Sequence, residues 1–313
     1  MSAALPVEAV VARIKAVYGG WTRSTPVEER RRDWDALFAS VSVAAAIEPV
    51  SAGGVAAEWI IPRGARPDQA VLYLHGGGFQ VGSLRSHREL MAGIAAAAGC
   101  RVLGVDYRLA PEHRYPAALH DARAAYAWLL GQGFQSPQLA LAGDSAGAGL
   151  ALSTLISLRD EGRPLPAAAV LMSAWTDLTA SGASYQSRAH ADPINQRPMI
   201  LAMARSYLGD AAEPRDPLVS PLFAALRGLP PLLIQVGDHE TVLSDSTDLA
   251  EKATAAGITV DLEVWEGMIH VFQQFPADLI EAREARQSIG TFLRRHLREE
   301  PLKEQSAATG ASR

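Results

Sequence analysis

Residues 143–147 combine a nucleophilic residue type with the spacing that such a residue needs. They read Gly-Asp-Ser-Ala-Gly, follow an apolar run and precede a stretch rich in Ala, Leu and Ile. This order is typical of a strand, a sharp turn and a helix, with Ser145 on the turn. Side chains two residues before or after such a serine would clash, which favours glycine at both places. The alternative is a tight turn whose serine has no chemical role.

Three consecutive glycines follow a second apolar run, in the sequence His-Gly-Gly-Gly-Phe at 75–79. Such a loop loses much backbone entropy on folding, so we expect its backbone to approach another group closely. In acyl transfer that group is the developing oxyanion, which the N–H groups of Gly77, Gly78 and Ala146 would bind. The alternatives are a flexible loop and a phosphate-binding turn, although no phosphate fingerprint fits here. We interpret His75 as a packing residue at the base of the loop.

A nucleophilic serine needs a histidine base and a carboxylate that orients the base. In enzymes with this turn, the chain order is serine, acid, histidine. Four histidines lie downstream of Ser145, namely His190, His239, His270 and His296. His270 follows a predicted strand and a short turn, in a loop before the last helix. We therefore predict that His270 is the base.

Three carboxylates follow the end of the strand predicted at 231–237, namely Asp238, Glu240 and Asp245. Asp245 is predicted to lie in the following helix and to cap it. Asp238 and Glu240 remain as candidates for the orienting acid. Glu240 lies deeper in the loop, and its longer side chain could reach Nδ1 of the imidazole.

The composition of the 313 residues narrows the class of protein. Hydrophobic residues make up 48% and charged residues 20%, which is typical of a globular chain. The net charge of −5 gives no basic excess, so we expect no nucleic-acid partner. The single cysteine, Cys100, excludes an intrachain disulfide and is predicted to be a buried, inert thiol. No targeting segment or membrane span is recognised, so we expect a cytoplasmic protein.

Apolar periodicity predicts helices at 5–18 and 27–40, before the first strand. Strands at 41–50 and 55–61, joined by a Gly-Gly turn, are predicted to pair antiparallel. Beyond them strands alternate with helices, which indicates an α/β protein with a mostly parallel sheet flanked by helices. The further predicted strands are 70–75, 101–106, 138–142, 167–172, 231–237 and 259–264. The further predicted helices are 86–98, 116–130, 148–158, 243–256 and 279–297.

One stretch interrupts this alternation. Residues 176–228 contain five prolines and no predicted strand, with one helix near 198–208. Together with residues 1–40, this stretch is predicted to form a cap over the carboxyl ends of the strands. The predicted core comprises 41–175 and 229–300, and the polar residues 301–313 are predicted to form a flexible tail.

Four motifs together resemble the bacterial hormone-sensitive-lipase-like carboxylesterases, a branch of the α/β-hydrolase superfamily. They are His-Gly-Gly-Gly at 75–78, Asp-Tyr-Arg-Leu-Ala-Pro-Glu through Tyr-Pro-Ala at 106–117, Gly-Asp-Ser-Ala-Gly at 143–147 and Gly-Met-Ile-His-Val-Phe at 267–272. The resemblance covers about residues 40–297. It implies the α/β-hydrolase fold, with an eight-stranded sheet and a mobile helical cap, no cofactor, and a homodimer in many members.

The resemblance also implies roles for individual residues. Ser145 would be the nucleophile, His270 the base, and Gly77, Gly78 and Ala146 the oxyanion donors. The family's acid is commonly Asp; the matching position here holds a glutamate, and we favour Glu240 over Asp238. By the same resemblance, the charged residues Asp106, Arg108 and Glu112 would form a buried ion-pair network.

The predicted function is a serine carboxylesterase that acts on short-to-medium acyl esters, without metal or other cofactor. Six large side chains are predicted to line an apolar pocket under the cap: Trp21, Trp34, Phe79, Trp175, Tyr185 and Met203. An amidase or lactonase with the same triad is an alternative. A non-catalytic binding protein of the same fold is a further one, although such proteins typically lose the nucleophile or the base.

Overall fold

A computed structural model describes residues 7–22, 24–38, 42–210 and 212–297. The strands are Ala45–Ala52 (β1), Val55–Pro62 (β2), Arg66–Leu74 (β3), Cys100–Val105 (β4), Leu139–Asp144 (β5), Ala168–Met172 (β6), Leu232–Gly237 (β7) and Val260–Trp265 (β8). They form one sheet in the order β1-β2-β4-β3-β5-β6-β7-β8. The pairs β1–β2 and β2–β4 are antiparallel, and the other neighbours are parallel.

Helices cover both faces of this sheet. They are Val7–Tyr18 (α1), Val27–Phe38 (α2), Leu84–Ala98 (α3), Ala117–Gly131 (α4), Ala146–Asp160 (α5), Ser184–Ser187 (α6), Arg197–Leu208 (α7), Leu243–Ala255 (α8) and Ile280–His296 (α9). Leu72 and Leu74 of β3 pack with the apolar residues of α4, α5 and α8. Val71 and Tyr73 point to the other face and pack with α3 and α9. This alternation explains why the central strands are apolar throughout: each of them is buried on both faces.

The structure confirms the predicted α/β architecture with its mostly parallel eight-stranded sheet. Most element ends lie within a few residues of their predicted positions. β3 begins earlier, at Arg66, because Arg66 pairs with Cys100 of β4. The short helix α6 was not predicted. The predicted tail at 301–313 lies outside the described residues.

Cys100 is a free thiol with no exposed surface, as predicted. Burial raises the pKa of this thiol to about 12, so it stays protonated at neutral pH. None of the helices in the described ranges is long and apolar enough to cross a membrane.

The predicted ion-pair network of Asp106, Arg108 and Glu112 is wrong. Arg108 binds Asp121 of α4, with 2.7 Å between Nη2 and Oδ1. Glu112 binds Arg31 of α2 at 2.8 Å. Asp106 and Arg108 are exposed. The segment after β4 runs between α2 and α4, so two of its charges meet partners on other elements.

Asp245 lies in the first turn of α8, as predicted, but it does not cap that helix. Its Oδ2 accepts hydrogen bonds from the backbone N–H groups of Thr176 and Asp177, each at 2.8 Å. Its Oδ1 has no partner among the described residues. Because the side chain is fully buried, its pKa is raised from 3.8 to about 8. The carboxyl group thus ties α8 to the chain that follows β6.

Replacing Asp245 with asparagine is expected to make stability less dependent on pH. In the wild type the unfolded chain ionises near pH 3.8, whereas the folded chain keeps this proton up to about pH 8. Stability should therefore fall by at most about 1.4 kcal/mol per pH unit across that interval. Asparagine keeps the acceptor oxygen and removes the titration. Melting temperatures at pH 5 and pH 8 test this, with the exposed Glu251→Gln on the same helix as control. Equal pH dependence in Asp245→Asn and the wild type would contradict the expectation.

Parts of the two predicted cap segments lie near the carboxyl ends of the strands. Val10 and Ile14 of α1 pack against Met268, Ile269 and Phe272, in the segment that follows β8. Met203 of α7 contributes to a cavity that reaches the end of β5.

Candidate active site

Ser145 lies on the sharp turn between β5 and α5. Its backbone angles, φ 52° and ψ −120°, are unusual for a residue with a side chain. A Cβ on Gly147 would lie 2.0 Å from the carbonyl oxygen of Leu74, and one on Gly143 would lie 2.5 Å from the backbone of Gly147. Glycine is therefore required at both places, as the spacing predicted.

The side chains of Ser145, His270 and Glu240 form a continuous hydrogen-bonded relay. His270 Nε2 lies 2.9 Å from Ser145 Oγ, and His270 Nδ1 lies 2.7 Å from Glu240 Oε2. Because a carboxylate only accepts hydrogen bonds, the proton is assigned to Nδ1, and Nε2 accepts from the serine hydroxyl. The three residues follow β5, β8 and β7, whose carboxyl ends meet at one edge of the sheet.

Glu240 is completely buried, and both of its carboxylate oxygens are paired. Its Oε1 accepts hydrogen bonds from Ser173 Oγ at 2.8 Å and from the backbone N–H of Gly237 at 2.5 Å. Its Oε2 is left for the imidazole of His270. The carboxylate is thus held in one orientation.

The pKa of His270 is raised above its usual 6.5. Burial alone would lower this pKa, but the charge of Glu240 and its hydrogen bond to the imidazole outweigh burial. The charges of Asp192 and Asp144 raise it further. The site therefore stabilises the imidazolium, the ion that forms when the histidine removes a proton from the serine.

Asp238, the other candidate acid, does not contact the imidazole. Its Oδ1 accepts a hydrogen bond from the backbone N–H of Gly267 at 2.7 Å. Asp238 therefore stabilises the turn before His270. Its shorter side chain, two positions before Glu240, is directed to this turn.

The glycine loop lies next to Ser145, and its first residue is held by Asp144. Asp144 Oδ1 accepts a hydrogen bond from the backbone N–H of Gly76 at 3.0 Å. Within the described residues, the N–H groups of Gly77, Gly78 and Ala146 donate to no acceptor. The structure thus leaves three backbone donors free near one serine.

His75 is a buried packing residue, as interpreted from the sequence. Its ring stacks on Tyr107, with 4.4 Å between the centroids. Burial and the neighbouring His87 lower its pKa to about 3, so the ring is neutral.

Ser173 is a positioning residue that the sequence did not reveal. It directly follows β6, with φ 48°. Its Oγ donates to Glu240 and accepts from the backbone N–H of Val271 at 3.0 Å. It therefore connects the loop of Glu240 to the loop of His270. The sequence signal for Ser173 was a polar residue directly after a predicted buried strand. This signal is weak, because many residues at such positions have no part in a functional site.

Asp192, within 176–228, is a second such residue. Its Oδ2 accepts from the backbone N–H of Thr241 at 2.8 Å, and its Oδ1 accepts from the backbone N–H of Asn195 at 2.8 Å. This buried carboxylate connects the segment before α7 to the residue next to Glu240. No local pattern predicts a contact over this distance in the chain.

Ser145 and His270 line a cavity of about 700 Å³. Its other walls come from α1, α2 and α7, from the glycine loop, from Trp175 after β6 and from the segment after His270. Four of the six predicted pocket residues line it: Trp21, Trp34, Trp175 and Met203. Among the described residues, no three His, Cys, Asp or Glu side chains are grouped closely enough to hold a metal ion.

Phe79 and Tyr185 do not line this cavity, so their predicted placement is wrong. Phe79 stacks flat on Tyr207, with 3.7 Å between the centroids. Tyr185, only 2% exposed, lies in α6, which packs against α8. Both rings fill the core beside the cavity.

Comparison with known proteins identifies relatives over most of the chain. Residues 71–274 match the model of a family described as having an alpha/beta hydrolase fold. An acetyl-hydrolase from Streptomyces hygroscopicus is 44% identical over 277 residues, which cover 87% of this chain and 91% of that protein. An esterase from Acinetobacter venetianus is 39% identical, covering 79% of this chain and 81% of that protein.

A solved structure agrees with these relatives. The crystal structure of an esterase from the bacterial hormone-sensitive lipase family is 45% identical, with a TM-score of 0.91. The match covers 95% of this chain and all of that chain. On these findings the chain belongs to the bacterial hormone-sensitive lipase family of α/β-hydrolases and is a carboxylic ester hydrolase.

Proposed function

We propose that the protein hydrolyses short-to-medium acyl esters by two-step acyl transfer, with Ser145 as nucleophile, His270 as base and Glu240 as orienting acid. The observation that carries this proposal is the relay of two hydrogen bonds, at 2.9 and 2.7 Å, that joins the serine hydroxyl to a buried carboxylate. A serine with its hydroxyl aimed at a neutral imidazole nitrogen is ready to lose its proton.

In the first step Ser145 Oγ attacks the ester carbonyl while His270 Nε2 takes the hydroxyl proton. The carbonyl oxygen becomes negative and accepts hydrogen bonds from the free N–H groups of Gly77, Gly78 and Ala146. The imidazolium then gives its proton to the leaving alcohol, which forms the acyl-enzyme. In the second step His270 Nε2 takes a proton from a water molecule, whose oxygen attacks the acyl carbon. The bond from that carbon to Ser145 Oγ breaks, Oγ receives the proton from His270, and the carboxylic acid leaves.

Two segments would form the cap over this site, residues 1–40 and 176–228, with residues 41–175 and 229–300 as the catalytic core. This division is supported by the cavity, whose walls away from Ser145 come largely from α1, α2 and α7. The relative named an acetyl-hydrolase supports a small acyl group. The homodimer stays a prediction.

A panel of p-nitrophenyl esters from acetate to palmitate tests this function. We expect turnover of the acetate, butyrate and hexanoate and little turnover of the palmitate, because the proposed substrates carry a short-to-medium acyl group. A nitroanilide and a γ-lactone of similar size are expected to react far more slowly. No turnover of any ester, or faster turnover of the anilide or the lactone, would contradict the proposal.

A further inference from the structure

The cavity wall formed by α2 carries two hydrogen-bond donors without acceptors. Arg30 and Trp34 lie four residues apart, which places them on one face of the helix, and both line the cavity that contains Ser145. The Nε–H of Arg30 and the Nε1–H of Trp34 are buried and have no partner among the described residues. Within the described residues, the guanidinium of Arg30 makes one hydrogen bond, which Nη2 donates to the carbonyl oxygen of Thr22 at 2.7 Å.

Neighbouring side chains of the same types are paired. Arg31 donates to both carboxylate oxygens of Glu112, at 2.9 and 2.8 Å. The indole N–H of Trp21 donates to an aspartate oxygen at 3.0 Å, and that of Trp175 to a backbone carbonyl at 3.1 Å.

Buried donors normally have a partner. Other arginine and tryptophan nitrogens are also unpaired among the described residues, at Arg101, Arg188 and Trp265, but these three residues do not line the cavity, whereas Arg30 and Trp34 do. The donors of Arg30 and Trp34 can therefore pair with an acceptor on a molecule bound in the cavity.

Two amide side chains add to the polar lining of this cavity. Asn195, which is 6% exposed, comes from the segment before α7, and Gln274 comes from the turn after His270. The amide nitrogens of both are buried without an acceptor in the described residues. An amide offers donors and an acceptor, whereas arginine and tryptophan side chains only donate. Arg30 and Trp34 therefore supply donors that only an acceptor can pair.

We propose that the cavity selects esters whose end remote from the scissile bond carries an oxygen acceptor, either a second ester carbonyl or a carboxylate, which Arg30 and Trp34 bind. This inference rests on the proposed function, since it concerns the substrate of that same site. Hydrolysis of such a diester consumes one water and releases one alcohol and the monoester. The apolar side chains around these donors would contact the methylene groups between the two ends of the substrate.

Three substrates with the same six-carbon acyl chain test the proposal: ethyl hexanoate, diethyl adipate and monoethyl adipate. Acid release is measured in a pH-stat, and kcat/KM is compared among the wild type, Arg30→Met, Trp34→Phe and Arg32→Met. Arg32 is exposed on the opposite side of α2 and serves as the matched control. The wild type should prefer one of the adipates to the hexanoate by about tenfold or more.

Arg30→Met and Trp34→Phe should each reduce this preference by several-fold, whereas Arg32→Met should keep it. If a carboxylate is the acceptor, monoethyl adipate is preferred, the preference falls with added salt, and Arg30→Met has the larger effect. If a neutral carbonyl is the acceptor, diethyl adipate is preferred and salt has little effect.

Hydrolysis of ethyl hexanoate without preference for either adipate would overturn this inference and leave the proposed function standing. The inference would also be overturned, with the proposed function standing, if Arg30→Met and Trp34→Phe both kept the wild-type preference for an adipate over ethyl hexanoate. If the wild type hydrolyses none of the three esters, nor p-nitrophenyl hexanoate, the proposed function fails as well. Because the two variants are independent, unfolding of one of them leaves the other as the test.

Discussion

Ser145→Ala is expected to abolish ester hydrolysis, with a loss of kcat of roughly 10⁶-fold, as in other enzymes with such a triad. Alanine removes the oxygen that would attack the carbonyl and leaves the turn, the glycines and the free N–H groups in place. The residual rate would come from substrate binding and oxyanion stabilisation alone. Hydrolysis of p-nitrophenyl butyrate measures the loss.

A fluorophosphonate probe gives an independent measurement, because it phosphonylates activated serines and releases fluoride. It should label the wild type at Ser145 only, as located by mass spectrometry, and should not label Ser145→Ala. Ser187→Ala, an exposed serine of α6, is the control and should retain full activity and labelling. Activity that survives in Ser145→Ala, with labelling at another serine, would refute the proposed nucleophile.

Glu240→Gln is expected to lower kcat by about 10⁴-fold. Glutamine can still accept hydrogen bonds from Ser173 and Gly237, so the loop should keep its shape. Its amide group would face Nδ1 of His270 and favour the tautomer with the proton on Nε2, which cannot accept the proton of Ser145. The loss of activity would therefore reflect the missing charge of residue 240 and the changed tautomer of His270, since the size of the side chain is unchanged.

The pH dependence of kcat/KM distinguishes an effect of Glu240 on His270 from a purely structural role of Glu240. Glu240 raises the pKa of His270 in the wild type, so the acid limb of kcat/KM should lie above the usual histidine pKa of 6.5. Below this pKa the imidazole is protonated and activity is lost. In Glu240→Gln the acid limb should move to lower pH, with little change in melting temperature.

Asp238→Asn is the matched control for Glu240→Gln. It removes a neighbouring carboxylate and keeps an acceptor for the N–H of Gly267, so most activity should remain. If Asp238→Asn is nearly inactive and Glu240→Gln nearly normal, the assignment of the acid is wrong and Asp238 takes that role.

The elements of the core could be predicted from local patterns. β5 and β7 are short apolar runs, and they are buried at every residue in the structure. Burial on both faces of a parallel sheet demands such runs, so composition by itself identifies these strands. The early start of β3 was missed because it depends on pairing with β4, and the polar residues 66–69 have no strand pattern of their own.

The sequence by itself determined the turn of Ser145, because the glycines at 143 and 147 are needed by local sterics and backbone strain. The order serine, acid, histidine left four candidate histidines, and the position of His270 in a loop before the last helix selected it among them. Only the tertiary structure decided which carboxylate meets the imidazole, since Glu240 and Asp238 lie two residues apart on the same loop. The contacts of Ser173 and Asp192, and the partners of Arg108 and Glu112, were likewise decided by tertiary packing. Such contacts join segments distant in the chain, and their geometry depends on packing that no local pattern encodes.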